Sequence, residues 1–145
     1  MFFGKYTLSL SKKRRLILPF IYREARLKTA YIVQGFDQNL FLLSQQAFDA
    51  ISAQINETSI SDPLARLLKR LFLGGAVEIE IDGLGQIELP FTLCEYAELD
   101  KEIILVGQGN YLELWSSALW QKQMESMSNF EANTHRFEKF HVSLT

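Results

Sequence analysis

Cysteine and histidine are almost absent from this sequence, and each absence removes a class of chemistry. The one cysteine, Cys94, has no partner for an internal disulfide. The two histidines, His135 and His141, both lie near the C-terminal end. No zinc-ligand spacing, no Ser/His/Asp arrangement and no phosphate-cradling glycine loop can be assembled from what remains. Gly107-Gln-Gly109 is too short for a nucleotide loop and reads as a turn. No apolar run approaches the roughly 20 residues of a membrane-spanning helix. Met1-Phe-Phe-Gly-Lys-Tyr6 lacks the charged start and apolar core of a signal peptide. The expectation is a soluble cytoplasmic protein that is not an enzyme, with no cofactor, metal, membrane partner or small-molecule substrate.

What is present is a sizeable apolar content in a short chain. Hydrophobic residues make up 48% of 145 positions, enough to core one ordinary domain or two very small ones. The net charge of −2 conceals a division. Residues 1–71 hold eleven Lys/Arg against five acids, a net of +6, and the remainder stands at −8. An acidic total therefore does not exclude a polyanion partner, because one half can bind phosphates while the other repels them.

The same punctuation occurs twice. Ser11-Lys-Lys-Arg-Arg15 precedes Leu16-Ile-Leu-Pro19, and Asp82-Gly-Leu-Gly-Gln86 precedes Ile87-Glu-Leu-Pro90, 71 residues later. At that offset Gly4 matches Gly75, Pro19-Phe20 matches Pro90-Phe91 and Glu24 matches Glu95. At an offset of 72, Ile32 matches Ile104, Gly35 matches Gly107, Leu40 matches Leu112 and Ser44 matches Ser116. Residues 3–48 and 74–120 thus read as two copies of one unit, each too small for a comfortable core alone.

Within each copy the pattern predicts strand, turn, strand, short helix, strand, turn, strand, helix. Tyr6, Leu8 and Leu10 alternate, as do Val77, Ile79 and Ile81. Glu78, Glu80 and Asp82 fall between the latter, the pattern of a solvated strand face. Pro19 and Pro90 precede short helices expected over 20–27 and 91–98. Ser44 and Ser116 fit helix N-caps, and Asp62-Pro63 fits an N-cap with proline at the first helical position. Leu64, Leu67, Leu68 and Leu71 form an apolar stripe opposite Arg66, Lys69 and Arg70, predicting a packed connecting helix. Cys94 is expected in a small buried role, and Trp115 and Trp120 as core or interface anchors. After about Ser126 the chain becomes polar and irregular, and Asn129 to Thr145 reads as a frayed helix or a disordered extension.

The basic turn is the candidate site. Lys12, Lys13, Arg14 and Arg15 lie between two short strands, so several should project from a hairpin tip toward phosphates or guanine edges. A solvated charge run has about equal standing from spacing alone. Arg15 can reach DNA or pair with a carboxylate, whereas its counterpart Gln86 can do neither as an ion. Asp82 is expected to cap its own turn or to receive a neighbour's cation, the first being the commoner role.

These residues carry a family likeness. The chain resembles the MraZ family of bacterial transcriptional regulators through Met1-Phe-Phe-Gly-Lys-Tyr6, Arg15-Leu-Ile-Leu-Pro19 with Gln86-Ile-Glu-Leu-Pro90, and Phe72-Leu-Gly-Gly-Ala76. Val106-Gly-Gln-Gly-Asn110 and Glu113-Leu-Trp-Ser116 extend the likeness, which spans about residues 1–124. The resemblance implies an α+β fold of duplicated swapped-hairpin, SpoVT/AbrB-like β-barrel units with short helices, related by a pseudo-two-fold axis. It also implies ring-shaped homo-oligomers that bind repeated promoter elements of the cell-division and cell-wall gene cluster, on the nucleoid. The expected organisation is a first unit at 1–55, a connecting loop and helix at 56–73, a second unit at 74–126 and a polar tail at 127–145.

The family's motif in each unit is Asp, three residues, then Arg. Here the first unit keeps Arg15 but has Ser11 in place of Asp and Arg14 in place of the turn glycine. The second keeps Asp82 and Gly85 but has Gln86 in place of Arg. DNA contact is therefore expected at Arg15 from the motif and at Lys12, Lys13 and Arg14 from charge. Ser11, Asp82 and Gln86 are expected to form turns or interfaces. Two other functions compete: a ring-forming assembly protein that uses the basic turn as a subunit interface, and an antitoxin that binds a toxin through its tail.

Overall fold

The computed structural model describes residues 1–19 and 28–142. The short helix expected over 20–27 lies outside the described residues. The described residues form eight strands: β1 (Lys5–Ser9), β2 (Arg15–Ile17), β3 (Thr29–Gln34), β4 (Leu40–Ser44), β5 (Val77–Glu80), β6 (Gln86–Glu88), β7 (Glu102–Gly107) and β8 (Leu112–Ser116). The described helices are α1 (Gln45–Asn56), α2 (Pro63–Phe72), α3 (Phe91–Tyr96), α4 (Ser117–Met127) and α5 (Phe130–Phe137), with a 3₁₀ turn at Glu138–Phe140.

The strands pair across the two halves. One antiparallel sheet has the order β1-β7-β8-β4-β3-β5, and a separate ribbon joins β2 to β6. Exchanging each strand for its equivalent in the other half gives the same order reversed. The first strand of each half thus adds to the other half's sheet, with Tyr6 opposite Leu105 and Val77 opposite Ile32. Neither half closes its own hydrogen bonds, so the two fold as one body.

Strand register corrects one part of the repeat. In β4 and β8 the equivalence of Leu40 with Leu112 holds, because Leu40 pairs with Leu114 and Leu42 with Leu112. In β3 and β7 the match lies one residue further along. Gln34 faces Leu40 and Gly107 faces Leu112, so Gln34 corresponds to Gly107 and Ile32 to Leu105, not Ile104. Burial agrees: Ile32 and Leu105 are both fully buried, whereas Ile104 is half-buried. A one-residue slip inverts a strand's faces, so burial fixes the register.

Alternating side chains divide the interior. Ala30, Ile32, Leu40, Leu42, Ile103, Leu105, Leu112 and Leu114 face the β2–β6 ribbon and α3, meeting Leu16, Leu18, Ile87, Leu89, Leu93 and Cys94. On the other sheet face Val33, Phe41 and Leu43 meet Ile55 and Phe72 from α1 and α2. Phe48 stacks on Tyr31 with ring centroids 4.1 Å apart. Trp115 is buried and meets the half-buried Trp120 edge-on at 5.5 Å.

The helix signals act as expected. Ser44 Oγ accepts from Ala47 N–H, Ser116 Oγ from Leu119 N–H and Asp62 Oδ1 from Leu64 N–H. Pro90 itself is the N-cap of α3, which ends at Tyr96. The face of α2 differs from the expected stripe. It buries Ala65 and Phe72, half-buries Leu68 and leaves Leu64, Leu67 and Leu71 exposed. The tail forms α5 with Asn129 as its cap, and every residue from Phe130 to Val142 is exposed or half-buried. No helix among the described residues is long and apolar enough to cross a membrane.

Candidate nucleic-acid interface

The two turns share one frame. In the first, Arg14 N–H donates to Ser11 C=O at 2.9 Å, and Ser11 N–H donates to Arg15 C=O at 2.9 Å. In the second, Gly85 N–H donates to Asp82 C=O at 3.0 Å, and Asp82 N–H donates to Gln86 C=O at 3.2 Å. The fourth residue is left-handed in both, with φ of 60° at Arg14 and 80° at Gly85. This is the pattern of a tight turn followed by a bulge residue. Glycine suits that residue, and Arg14 holds the same conformation despite its Cβ.

Side-chain acceptors complete each frame. Asp82 Oδ1 accepts from Leu84 N–H at 2.9 Å and Gln86 N–H at 2.8 Å, the capping role expected of it. Ser11 Oγ accepts from Arg15 N–H at 3.1 Å, so a hydroxyl performs part of the carboxylate's work. Gln86 supports its turn through backbone groups and faces Ile17 in the ribbon.

The turns stand at opposite ends of that ribbon, where Arg15 faces Glu88 and Gln86 faces Ile17. At one end the four cations separate into three environments. Lys12 and Lys13 form the exposed middle of the turn, with no hydrogen-bond or ion-pair partner among the described residues. Arg15 is exposed, with Nε 3.7 Å from Glu88 Oε1 and both side chains about half accessible. Such a pair is worth at most about 1 kcal/mol and leaves the guanidinium available to another anion. Arg14 turns inward: Nε donates to Leu89 C=O at 3.0 Å, and its guanidinium lies 5.7 Å from the Phe91 ring centre.

Behind this turn Cys94 is buried in α3. Burial raises its thiol pKa, and the Arg14 charge opposes that rise more weakly. A thiol held protonated is a poor nucleophile. No cluster of three or more His, Cys, Asp or Glu side chains among the described residues is arranged to hold a metal.

One polar group escaped sequence reasoning. Glu113, on β8, is buried, and its carboxylate accepts from Asn39 Nδ2 at 2.9 Å, Gln108 Nε2 at 2.9 Å and Trp115 Nε1 at 3.1 Å. Asn39 Oδ1 in turn accepts from Asp37 N–H at 3.2 Å. The only available signal was an acid between Leu112 and Leu114 in an otherwise apolar strand.

Comparison with known proteins adds to this geometry. The family model described as "MraZ protein, putative antitoxin-like" matches residues 1–71 and again residues 72–140. "Transcriptional regulator MraZ" of Nitrosospira multiformis is 38% identical over 134 residues, covering 90% of this chain and 91% of that protein. The protein of that name from Dictyoglomus thermophilum is 36% identical, covering 84% of each chain. The one from Herpetosiphon aurantiacus is 33% identical, covering 89% of this chain and 90% of its own.

Proposed function

The chain belongs to the MraZ family, and from that premise we propose that it is a transcription regulator, not an enzyme, that binds double-stranded DNA through its first turn. The observation that carries this reading is the separation of roles among the cations. Lys12, Lys13 and Arg15 are exposed together on a turn whose backbone is fixed by Ser11 and Arg14. A rigid display of cations suits phosphate contact, because little ordering entropy remains to be lost on binding. The second turn carries Gly83, Leu84 and Gln86 around the Asp82 carboxylate and is assigned no DNA contact.

The finer reading is a sequence-specific regulator of the cell-division and cell-wall gene cluster, acting on promoter repeats at the nucleoid as a ring-shaped homo-oligomer. The strand exchange supports describing the halves as swapped-hairpin, SpoVT/AbrB-like units at 1–55 and 74–126, joined through 56–73 and followed by the tail. Several turns displayed by one oligomer would gain avidity on repeated sites.

Self-association has its own observation. Leu64, Leu67 and Leu71 on α2, with nearby Ile60, are exposed apolar side chains. They lie on the connecting helix and not on the basic turn, so assembly need not use the cations.

Two measurements on the purified protein test these readings together. Affinity for its own upstream DNA is followed across a salt series, and mass by light scattering, for the wild type and Lys12→Glu/Lys13→Glu. The expected result is loss of binding at unchanged mass. Unchanged DNA affinity would sink the interface assignment, and dissociation of the oligomer would favour the basic turn as a subunit contact.

A further inference from the structure

We propose that Arg14 is a positioning residue and not a phosphate ligand: it clamps the basic turn to the second half of the chain and so fixes where Lys12, Lys13 and Arg15 stand. The inference rests on the DNA-binding reading above. Its starting point is the left-handed backbone of Arg14, with φ of 60°. Such a conformation disfavours residues with a Cβ, and the equivalent position in the second turn is Gly85. The turn itself therefore does not require an arginine.

The side chain and backbone of Arg14 act on one residue. Arg14 C=O accepts from Leu89 N–H at 2.8 Å, while Arg14 Nε donates to Leu89 C=O at 3.0 Å. Both backbone groups of Leu89 are held by Arg14, and the Leu89 side chain is fully buried. The guanidinium lies 5.7 Å from the ring centre of Phe91, two residues further on. Arg15 meets Glu88, the residue before Leu89. The turn thus grips residues 88, 89 and 91 of the other half. Across the ribbon the same backbone bond exists, from Leu18 N–H to Gly85 C=O at 2.9 Å. Glycine has no side chain to make the second point of attachment. The two-point clamp belongs to the basic turn alone.

Charge and contact therefore separate. Lys12 and Lys13 are exposed, whereas Arg14 is half-buried and bonded within the protein. Released from the clamp, the turn keeps its other three cations but loses their fixed placement, so binding weakens without a change in the number of phosphates contacted. A phosphate ligand behaves differently, because each neutralised phosphate adds about 0.9 to the slope of log affinity against log salt.

The experiment measures affinity for the chain's own upstream DNA across a salt series, at a temperature where thermal unfolding shows each protein folded. It compares the wild type with Arg14→Gly, Arg14→Lys and Lys12→Ala. Glycine accepts the left-handed backbone, so Arg14→Gly removes the clamp without straining the turn. Arg14→Lys keeps the charge but loses the planar donor. The expected result is a loss on the order of tenfold for both Arg14 variants with the salt slope unchanged, reflecting the ordering of a loosened turn. Lys12→Ala should lower the slope by about 0.9. A lowered slope in Arg14→Gly overturns the proposal, as does wild-type affinity in either Arg14 variant. If the wild type itself fails to bind at every salt concentration, the DNA reading falls, and the positioning role falls with it.

Discussion

Asn39 Nδ2 donates to the Glu113 carboxylate at 2.9 Å inside the protein, joining the turn before β4 to the strand β8 of the other half. Two strands of equivalent position meet there, yet their polar groups are not equivalent. Phe41 stands where Glu113 stands in the other half, and it faces Glu113 across the ladder. The pseudo-symmetric centre is held by a one-sided network of three donors on one carboxylate.

Breaking that network should be among the costlier single changes. Glu113→Gln sets an amide N–H₂ against groups that already donate, and Asn39→Leu removes one donor and the acceptor for Asp37 N–H. Each is expected to lower unfolding free energy by about 1–3 kcal/mol. The double variant should cost less than the sum, since both act on one network. Urea denaturation midpoints measure all three, and strictly additive values would contradict the coupling.

The Asp82 carboxylate is expected to support its turn, with no part in recognition. Asp82→Ala removes the acceptor for Leu84 N–H and Gln86 N–H and should cost about 1 kcal/mol. Asp82→Ser should retain part of that, as the Ser11 hydroxyl does for Arg15 N–H. DNA affinity of folded Asp82→Ala should match the wild type. A marked loss would bring the second turn into the interface.

Leu64, Leu67 and Leu71 give a surface on which self-association can be tested apart from DNA. Leu67→Lys keeps helix propensity and places a charge on the exposed face of α2. The folded variant should show a lower mass by light scattering and a weaker apparent affinity for DNA carrying repeated sites. Its affinity for a single site should not change. Unaltered mass would remove this face from any subunit contact.

Tyr111 links stability to alkaline pH. Its phenol pKa is raised above the ordinary 10.0, first by burial and then by the Glu113 and Asp37 carboxylates. The folded state therefore holds the proton more tightly than the unfolded chain. The resulting stability is complete below 10.0 and is lost as pH rises through the folded value. Tyr111→Phe should flatten that decline in denaturation midpoint.

Local signals were legible because they act over a few residues. Ser44, Ser116 and Asp62 cap helices wherever an oxygen precedes a helical run, and Asp82 braces its turn through neighbouring N–H groups. Less was legible in apolar runs. Ile103 to Val106 reads the same at either register, so periodicity placed Ile32 against Ile104 when burial places it against Leu105. The leucines of α2 share a helical stripe, but only Leu68 of them packs beside Phe72 against the sheet, and Leu64, Leu67 and Leu71 are exposed.

The amino-acid order alone determined the duplication, the capped helix starts at Ser44, Asp62 and Ser116, the family and the position of four cations in one turn, because each depends on identity and spacing along the chain. Which cations face solvent was decided by tertiary structure. Arg14 meets Leu89 only because β2 pairs with β6 across 71 residues of sequence offset, and Glu113 meets Asn39 only because β8 lies beside β4. Contacts between distant segments are set by which strands exchange, and no local pattern encodes that.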